Sequence, residues 1–262
     1  MSGAGPSGTR KRGAMTTFDL MLFACAVLLL AGTIKGFIGL GLPTVSLALL
    51  TLGTDPRMAI TLILMPMLLS NLWQMGRGGS LAALIRRYGR FALVLGLSVG
   101  LTAWFSRDAG DRLLTGALGA ILLLYALLDS LRRVPPLPDR HAGLIEVIWA
   151  TLTGVIGGLT AGWGGPMAMY LSARRAPRDE FVQASGLLIA AGSLPLMLSY
   201  LAAGHADPRG LGLSALLLVP TFVGFALGER LRHRADPALF RRALIVLFVV
   251  LGANLIWRAL SG

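Results

Sequence analysis

From Phe18 to Leu52 the chain runs thirty-five residues with no charge other than Asp19 and Lys35. As one straight helix this stretch would reach about 52 Å at 1.5 Å per residue. A bilayer's hydrocarbon core is only about 30 Å thick. Within the stretch lies Gly32 to Pro43, Gly-Thr-Ile-Lys-Gly-Phe-Ile-Gly-Leu-Gly-Leu-Pro, with four glycines, a proline and Lys35. Glycine admits backbone conformations closed to other residues, and proline cannot continue a helix. The segment is therefore expected to break into pieces near 18–35 and 43–53. A degenerate copy follows in the second half, Gly154 to Pro166, Gly-Val-Ile-Gly-Gly-Leu-Thr-Ala-Gly-Trp-Gly-Gly-Pro.

Composition places these segments in a membrane. Of the 262 residues, 55% are hydrophobic and 14% charged, and the mean hydropathy is +0.73. Soluble domains carry about 25% charged residues. The lone Cys25 has no internal disulfide partner. The net charge of +12 does not form a nucleic-acid surface, because the arginines fall in short clusters between apolar runs, as membrane-protein loops do.

Taken in order, residues 1–17 read as a disordered tail with a basic cluster, Arg10, Lys11 and Arg12. A cleaved signal peptide is set aside because the apolar run leads straight into the duplicated motif; a start at Met15 would make the tail incidental. The first repeat covers 18–131: the broken segment, a span from Met58 to Trp73 kinked at Pro66, a basic amphipathic surface stretch at 81–90, and spans near 91–106 and 112–130. The proline-rich segment 132–143 is a linker. The second repeat, 144–262, has its own broken segment, then spans at 181–203, 210–228 and 243–260. The expected fold class is an all-α polytopic membrane protein of eight to ten membrane helices, built from two repeats.

The arginines suggest how the repeats are oriented. If each broken segment crosses once, the loops carry twelve basic residues on one side and eleven on the other. If each returns to its starting side, the division is fifteen against eight. The second arrangement obeys the positive-inside bias. It inverts the repeats, puts the fifteen in the cytoplasm and turns both termini outward. The basic cluster in the tail is then the one discordant feature.

Irregular backbone at membrane depth is tolerated only inside protein or beside water. Gly36, Gly39 and Gly41 allow the chain to turn and a ligand to approach closely. Pro43 suits the first turn of a new helix, whose N–H groups favour an anion. Gly162, Gly164, Gly165 and Pro166 offer the same device in the second half, with Trp163 beside them. Thr44 and Ser46 are candidate hydroxyl donors. Lys35 either faces the pathway or snorkels from a helix end. Asn71 and Gln74, three apart, share a helix face. With Tyr170, Gln183 and Ser185 they either line the pathway or hydrogen-bond between helices. Glycine clusters also serve close helix packing, which accounts well for Gly96, Gly100, Gly116 and Gly119. Trp73, Trp104, Trp149 and Trp257 read as interfacial belt residues. No catalytic constellation, metal-ligand spacing or cofactor motif is present in the sequence, and no acid is placed deep enough for a proton relay.

Certain ordered motifs carry a family resemblance. They are Lys35-Gly36-x-x-Gly39-x-Gly41-x-Pro43, then Pro66 and Asn71-x-Trp73-Gln74. In the second half they are Gly164-Gly165-Pro166 with Tyr170-Leu171, Asp179-x-Phe181 and Ser185-Gly186. In these the chain resembles the TauE/SafE family of sulfite exporters over most of residues 18–260. The resemblance implies a permease, not an enzyme, for small anions that are often sulfur-containing: sulfite, sulfonates, sulfoacetate or thiosulfate-like compounds. The chain departs from the commonest family pattern of three consecutive glycines, having Gly39-Leu40-Gly41-Leu42 instead. The expected partners are a small anionic substrate and the lipid bilayer, and a homodimer is compatible with such a chain. The leading expectation is secondary transport; a passive anion channel and a non-transporting membrane subunit are the alternatives.

Overall fold

The computed structural model describes residues 16–130, 142–231 and 237–261. The expected tail and linker lie almost wholly outside them, as does part of the basic loop before the last span. The described residues form helices joined by short turns, without strands. The helices are α1 (Thr17–Ile38), α2 (Leu42–Leu50), α3 (Pro56–Met75), α4 (Leu81–Phe105), α5 (Asp111–Ser130), α6 (Ala142–Thr160), α7 (Gly164–Ala173), α8 (Arg178–Ala202), α9 (Pro208–Leu216), α10 (Leu218–Leu231) and α11 (Pro237–Ser261). Seven segments are long and apolar enough to cross a bilayer, α9 and α10 counting together as one. The chain is a multi-pass, all-α membrane protein.

Local chemistry sets the helix ends. Thr16 and Asp19 form a capping box at the start of α1, which satisfies two otherwise orphaned N–H groups. Asp55, Ser80 and Asp207 cap α3, α4 and α9. The expected surface stretch at 81–90 is not a separate element. Apart from Gly89 it holds no helix breaker, and α4 runs through it unbroken to Phe105. Conversely, the span expected at 210–228 is interrupted at Leu217. Pro220 cannot donate the N–H that would continue the ladder to Leu216. Pro66 leaves the carbonyl of Leu62 without its usual donor; Ser214 on α9 supplies its hydroxyl there at 2.9 Å and accepts the N–H of Met65 at 3.0 Å.

Which ends meet decides how the chain runs. Lys35 near the end of α1 bonds Asn71 near the end of α3, and Gln74 bonds the carbonyl of Gly39. The C-terminal ends of α1 and α3 thus lie together, and α2 with the turn after it carries the chain back. Likewise α7 returns past α6. Trp163, just before α7, packs at Gly157, the Pro166 carbonyl lies at Trp149, and Tyr170 stacks on Phe91 early in α4. Arg77, Arg87 and Arg90 share one end of the molecule with their partners Glu229, Glu180 and Glu146. Arg57 bonds Asp111 at the opposite end, where Arg258 reaches the carbonyl of Thr51.

The helices meet along glycine seams. α1 packs on α10, and α6 on α4. A side chain at Gly36 would overlap the Phe225 carbonyl, and one at Gly158 would lie 2.5 Å from the Thr102 Cβ. Small residues four apart let backbones touch, which is how membrane helices associate without a hydrophobic driving force. Leu97, Leu101, Leu152, Leu198 and Val250 are exposed and present apolar surface outward to lipid. Gly36→Leu should lower the melting temperature of the purified protein by several degrees or prevent its accumulation, since overpacking costs about 1–3 kcal/mol. Gly212→Leu, at a glycine with open space around it, should leave it unchanged; a thermal unfolding series in detergent checks both.

Candidate functional site

Each half stops a long helix in a left-handed residue and then starts a short one. Gly39 has φ 96° and Gly41 φ 103°, a conformation that only glycine adopts without strain. In the second half the corresponding stop is Ala161, with φ 52°, where an L side chain costs about 1–2 kcal/mol. Neither α2 nor α7 has a side-chain cap. Their first-turn N–H groups therefore have no partner within the helix. The two starts lie against each other: a Cβ at Gly164 would sit 3.6 Å from the Thr44 hydroxyl.

Beside this junction the Ser46 hydroxyl and the Trp163 indole N–H are buried with no hydrogen-bond partner among the described residues, as are the hydroxyls of Thr153 on α6 and of Tyr170 farther along α7. Trp163 is 1% exposed and fits between α6 and α8 because Gly157 and Gly192 leave room; a Cβ at either would lie 2.6 Å from its ring. Tyr170 stacks on Phe91 with ring centroids 3.9 Å apart and meets Tyr88 and Trp149 edge-on. The half-buried Trp149 donates its indole N–H to the Pro166 carbonyl at 2.9 Å.

Lys35 does not snorkel. It is 1% exposed, and its ammonium donates to Asn71 Oδ1 at 2.5 Å and Ser70 Oγ at 3.1 Å, 5.9 Å from the Phe225 ring centroid. Among the described residues no carboxylate pairs with it. Asn71 also donates to the Met67 carbonyl at 2.6 Å. Gln74 spends both amide hydrogens on carbonyls, Gly39 at 2.9 Å and Val182 at 2.7 Å. Gln183 does the same, with Met75 at 3.1 Å and Gly79 at 3.0 Å.

The sequence-derived candidates therefore fall into three groups. Thr44, Gly164 and the starts around Gly41, Pro43, Trp163 and Pro166 come together at the junction. Lys35, Asn71, Gln74, Gln183 and Gly39 gather at the arginine-rich end of α3. The others serve packing or local bonds: Gly36 lies on α10, Gly165 against Tyr125 of α5, Gly162 donates to Thr160, and Ser185 bonds its own helix at the Phe181 carbonyl. Ser70 was missed, though a serine beside Asn71 in an apolar helix was a visible signal. Val182 was missed too, with no signal, since it is one valine among many.

The Lys35 network should behave as a charge with obligatory partners. Asn71→Leu should destabilise the protein more than Lys35→Met, because it strands a buried ammonium, and hydrogen bonds to charged groups contribute about 1.5–3 kcal/mol. The double variant should recover part of the loss. A thermal double-mutant cycle measures this, and additive losses would rule out the coupling.

A family model described as Sulfite exporter TauE/SafE matches residues 24–255. No curated protein and no solved structure matches the chain. The match covers most of the sequence and both breaks, and the chain belongs to the sulfite exporter TauE/SafE family of membrane transporters.

Proposed function

We propose that this TauE/SafE member is a secondary transporter of small anions, of the sulfite, sulfonate or sulfoacetate class. The observation that carries the reading is the meeting of two uncapped helix starts at Thr44 and Gly164. Helix N-termini concentrate unpaired N–H groups and positive potential, and so attract anions. An oxyanion is a fitting guest: several oxygens can accept from Leu42, Thr44, Gly164 and Gly165 N–H groups at once. Lys35, one turn before the first break, adds positive charge held in place by Asn71 and Ser70.

The two halves are read as inverted repeats around this junction near mid-membrane. The reading is supported by α1 packing on α10 while α6 packs on α4, and by α3 meeting α8 and α5 meeting α11. These are the pairs that a two-fold exchange of the halves would generate. The end holding Arg77, Arg86, Arg87, Arg90, Arg174 and Arg178 is assigned to the cytoplasm by the positive-inside bias, with both termini opposite.

In proteoliposomes, uptake of labelled sulfite or sulfoacetate should be saturable and should be stimulated by unlabelled substrate on the far side. Saturable uptake without that stimulation would mark a channel, and no uptake of any anion in a screen with sulfate, taurine and carboxylates would remove the transport reading. Lys35→Ala should weaken substrate binding at least tenfold while Lys35→Arg retains part of it; equal affinity in wild type and Lys35→Ala refutes the role of the charge. A topology reporter fused at the C-terminus should report the outer side.

A further inference from the structure

The helices do not group by sequence half. α1 and α3, with α2 against both, pack with α9 and α10 of the second half, whereas α6 and α8, with α7 against both, pack with α4 of the first. α5 and α11 pair antiparallel, with Gly119 against the Gly252 carbonyl. The ion pairs follow the same division. Arg77–Glu229 joins α3 to α10, and Arg87–Glu180 and Arg90–Glu146 join α4 to α8 and α6. Each of these three ties members of one group, whereas Arg57–Asp111 joins α3 to α5, outside both groups. Between the two groups the extensive seam among the described residues is α3 against α8.

That seam is fastened differently at its two ends. At the arginine-rich end Gly186 lets the backbones close, so that a Cβ there would lie 2.7 Å from the Met75 nitrogen. Gln74 reaches the Val182 carbonyl, Gln183 reaches the Met75 and Gly79 carbonyls, and Gly39 lies on Val182. At the opposite end no glutamine bridges the seam. Thr61 donates to the His205 carbonyl, in the turn that bonds back to Tyr200 of α8, and Arg57 donates to the Arg107 and Ala109 carbonyls just past α4; Ser214–Leu62 stays within the first group and Ser199–Gly100 within the second. The fastenings are amide–carbonyl bonds, which water can replace at a net cost of about 1 kcal/mol each. The seams inside each group are backbone contacts at glycine, which nothing replaces. The Gln74 Oε1 is itself buried without a partner, so this fastening is incompletely satisfied.

We infer that the bodies that move during transport are these two mixed groups, each carrying one broken helix, and that Gly39–Val182 with the Gln74 and Gln183 bridges is the releasable seal at the arginine-rich end. The junction of α2 and α7 lies between the groups, so parting the seal exposes it to that side. This inference rests on the transport reading above and adds which parts move.

Two cysteine pairs in a Cys25→Ser background separate the possibilities. Both join the first half of the sequence to the second. A Cβ at Gly39 would lie 3.7 Å from the Val182 Cβ, and one at Gly116 3.4 Å from the Ala259 Cβ. Disulfides span about 3.5–4.5 Å between Cβ atoms. Oxidised G39C/V182C should lose at least tenfold in uptake and recover it with reductant, which also controls for strain at Gly39. Oxidised G116C/A259C, within the α5–α11 pair, should keep at least half the uptake. Unchanged uptake in cross-linked G39C/V182C, or loss in both, overturns the inference. Should the parent move none of the anions screened, the transport reading fails, and a labelling experiment still decides the seal. A single cysteine from Thr44→Cys should react with a membrane-impermeant thiol reagent from the arginine-rich side only when Gln74→Ala and Gln183→Ala are both present. Equal labelling with and without those changes refutes the seal.

Discussion

Main-chain polar groups inside a bilayer have no water to turn to, and the architecture follows from how they are satisfied. At several helix stops, and at the Pro66 interruption, another residue takes the exposed carbonyl: Gln74 holds Gly39, Ser214 holds Leu62, and Arg258 holds Thr51. Two of these three donors, Ser214 and Arg258, come from the second half to mend the first. The starts of α2 and α7, by contrast, have no side-chain cap, and they lie against each other at Thr44 and Gly164.

The same economy of polar groups sets where the molecule is stiff. Where glycine brings two backbones together, as α1 with α10 and α6 with α4, the contact is dispersion between close-packed chains, with no slack to give. Where glutamines span a seam, the bond is exchangeable. Exposed ion pairs such as Arg77–Glu229 add little, about 0–1 kcal/mol. Most glycine contacts lie inside each mixed group, while the seam between the groups combines one of them, Gly186 on Met75, with the glutamine bridges.

Much of this was legible in the sequence because its signals are local. A thirty-five-residue stretch with glycines and a proline at its centre cannot be one span, and its two pieces are α1 and α2. The duplicated motif foretold α6 and α7. Pro66 marked a helix defect, though not that Ser214, far along the chain, repairs it. The reading of 81–90 as a separate surface stretch failed because charge density was weighed above continuity: Arg86, Arg87 and Arg90 sit at the membrane end of one helix. Residue type marked Trp149 for the interface but gave no sign that its indole would meet the Pro166 carbonyl. Gly36 and Gly39 looked alike in the motif, yet one packs on α10 and the other turns the chain; only their neighbours distinguish them.

The sequence alone determined that the chain lies in a membrane, that it breaks twice, and that its basic loops gather on one side only if each break turns the chain back. Those are consequences of hydropathy, backbone freedom and charge, which act along the chain. The tertiary structure decided what long-range contact decides. It placed Thr44 beside Gly164, 120 positions apart, gave Lys35 neutral partners rather than a carboxylate, and sorted the helices into groups that ignore the boundary between halves. No local rule encodes these, because helices in lipid choose partners by the fit of their faces, and that fit exists only once both are folded.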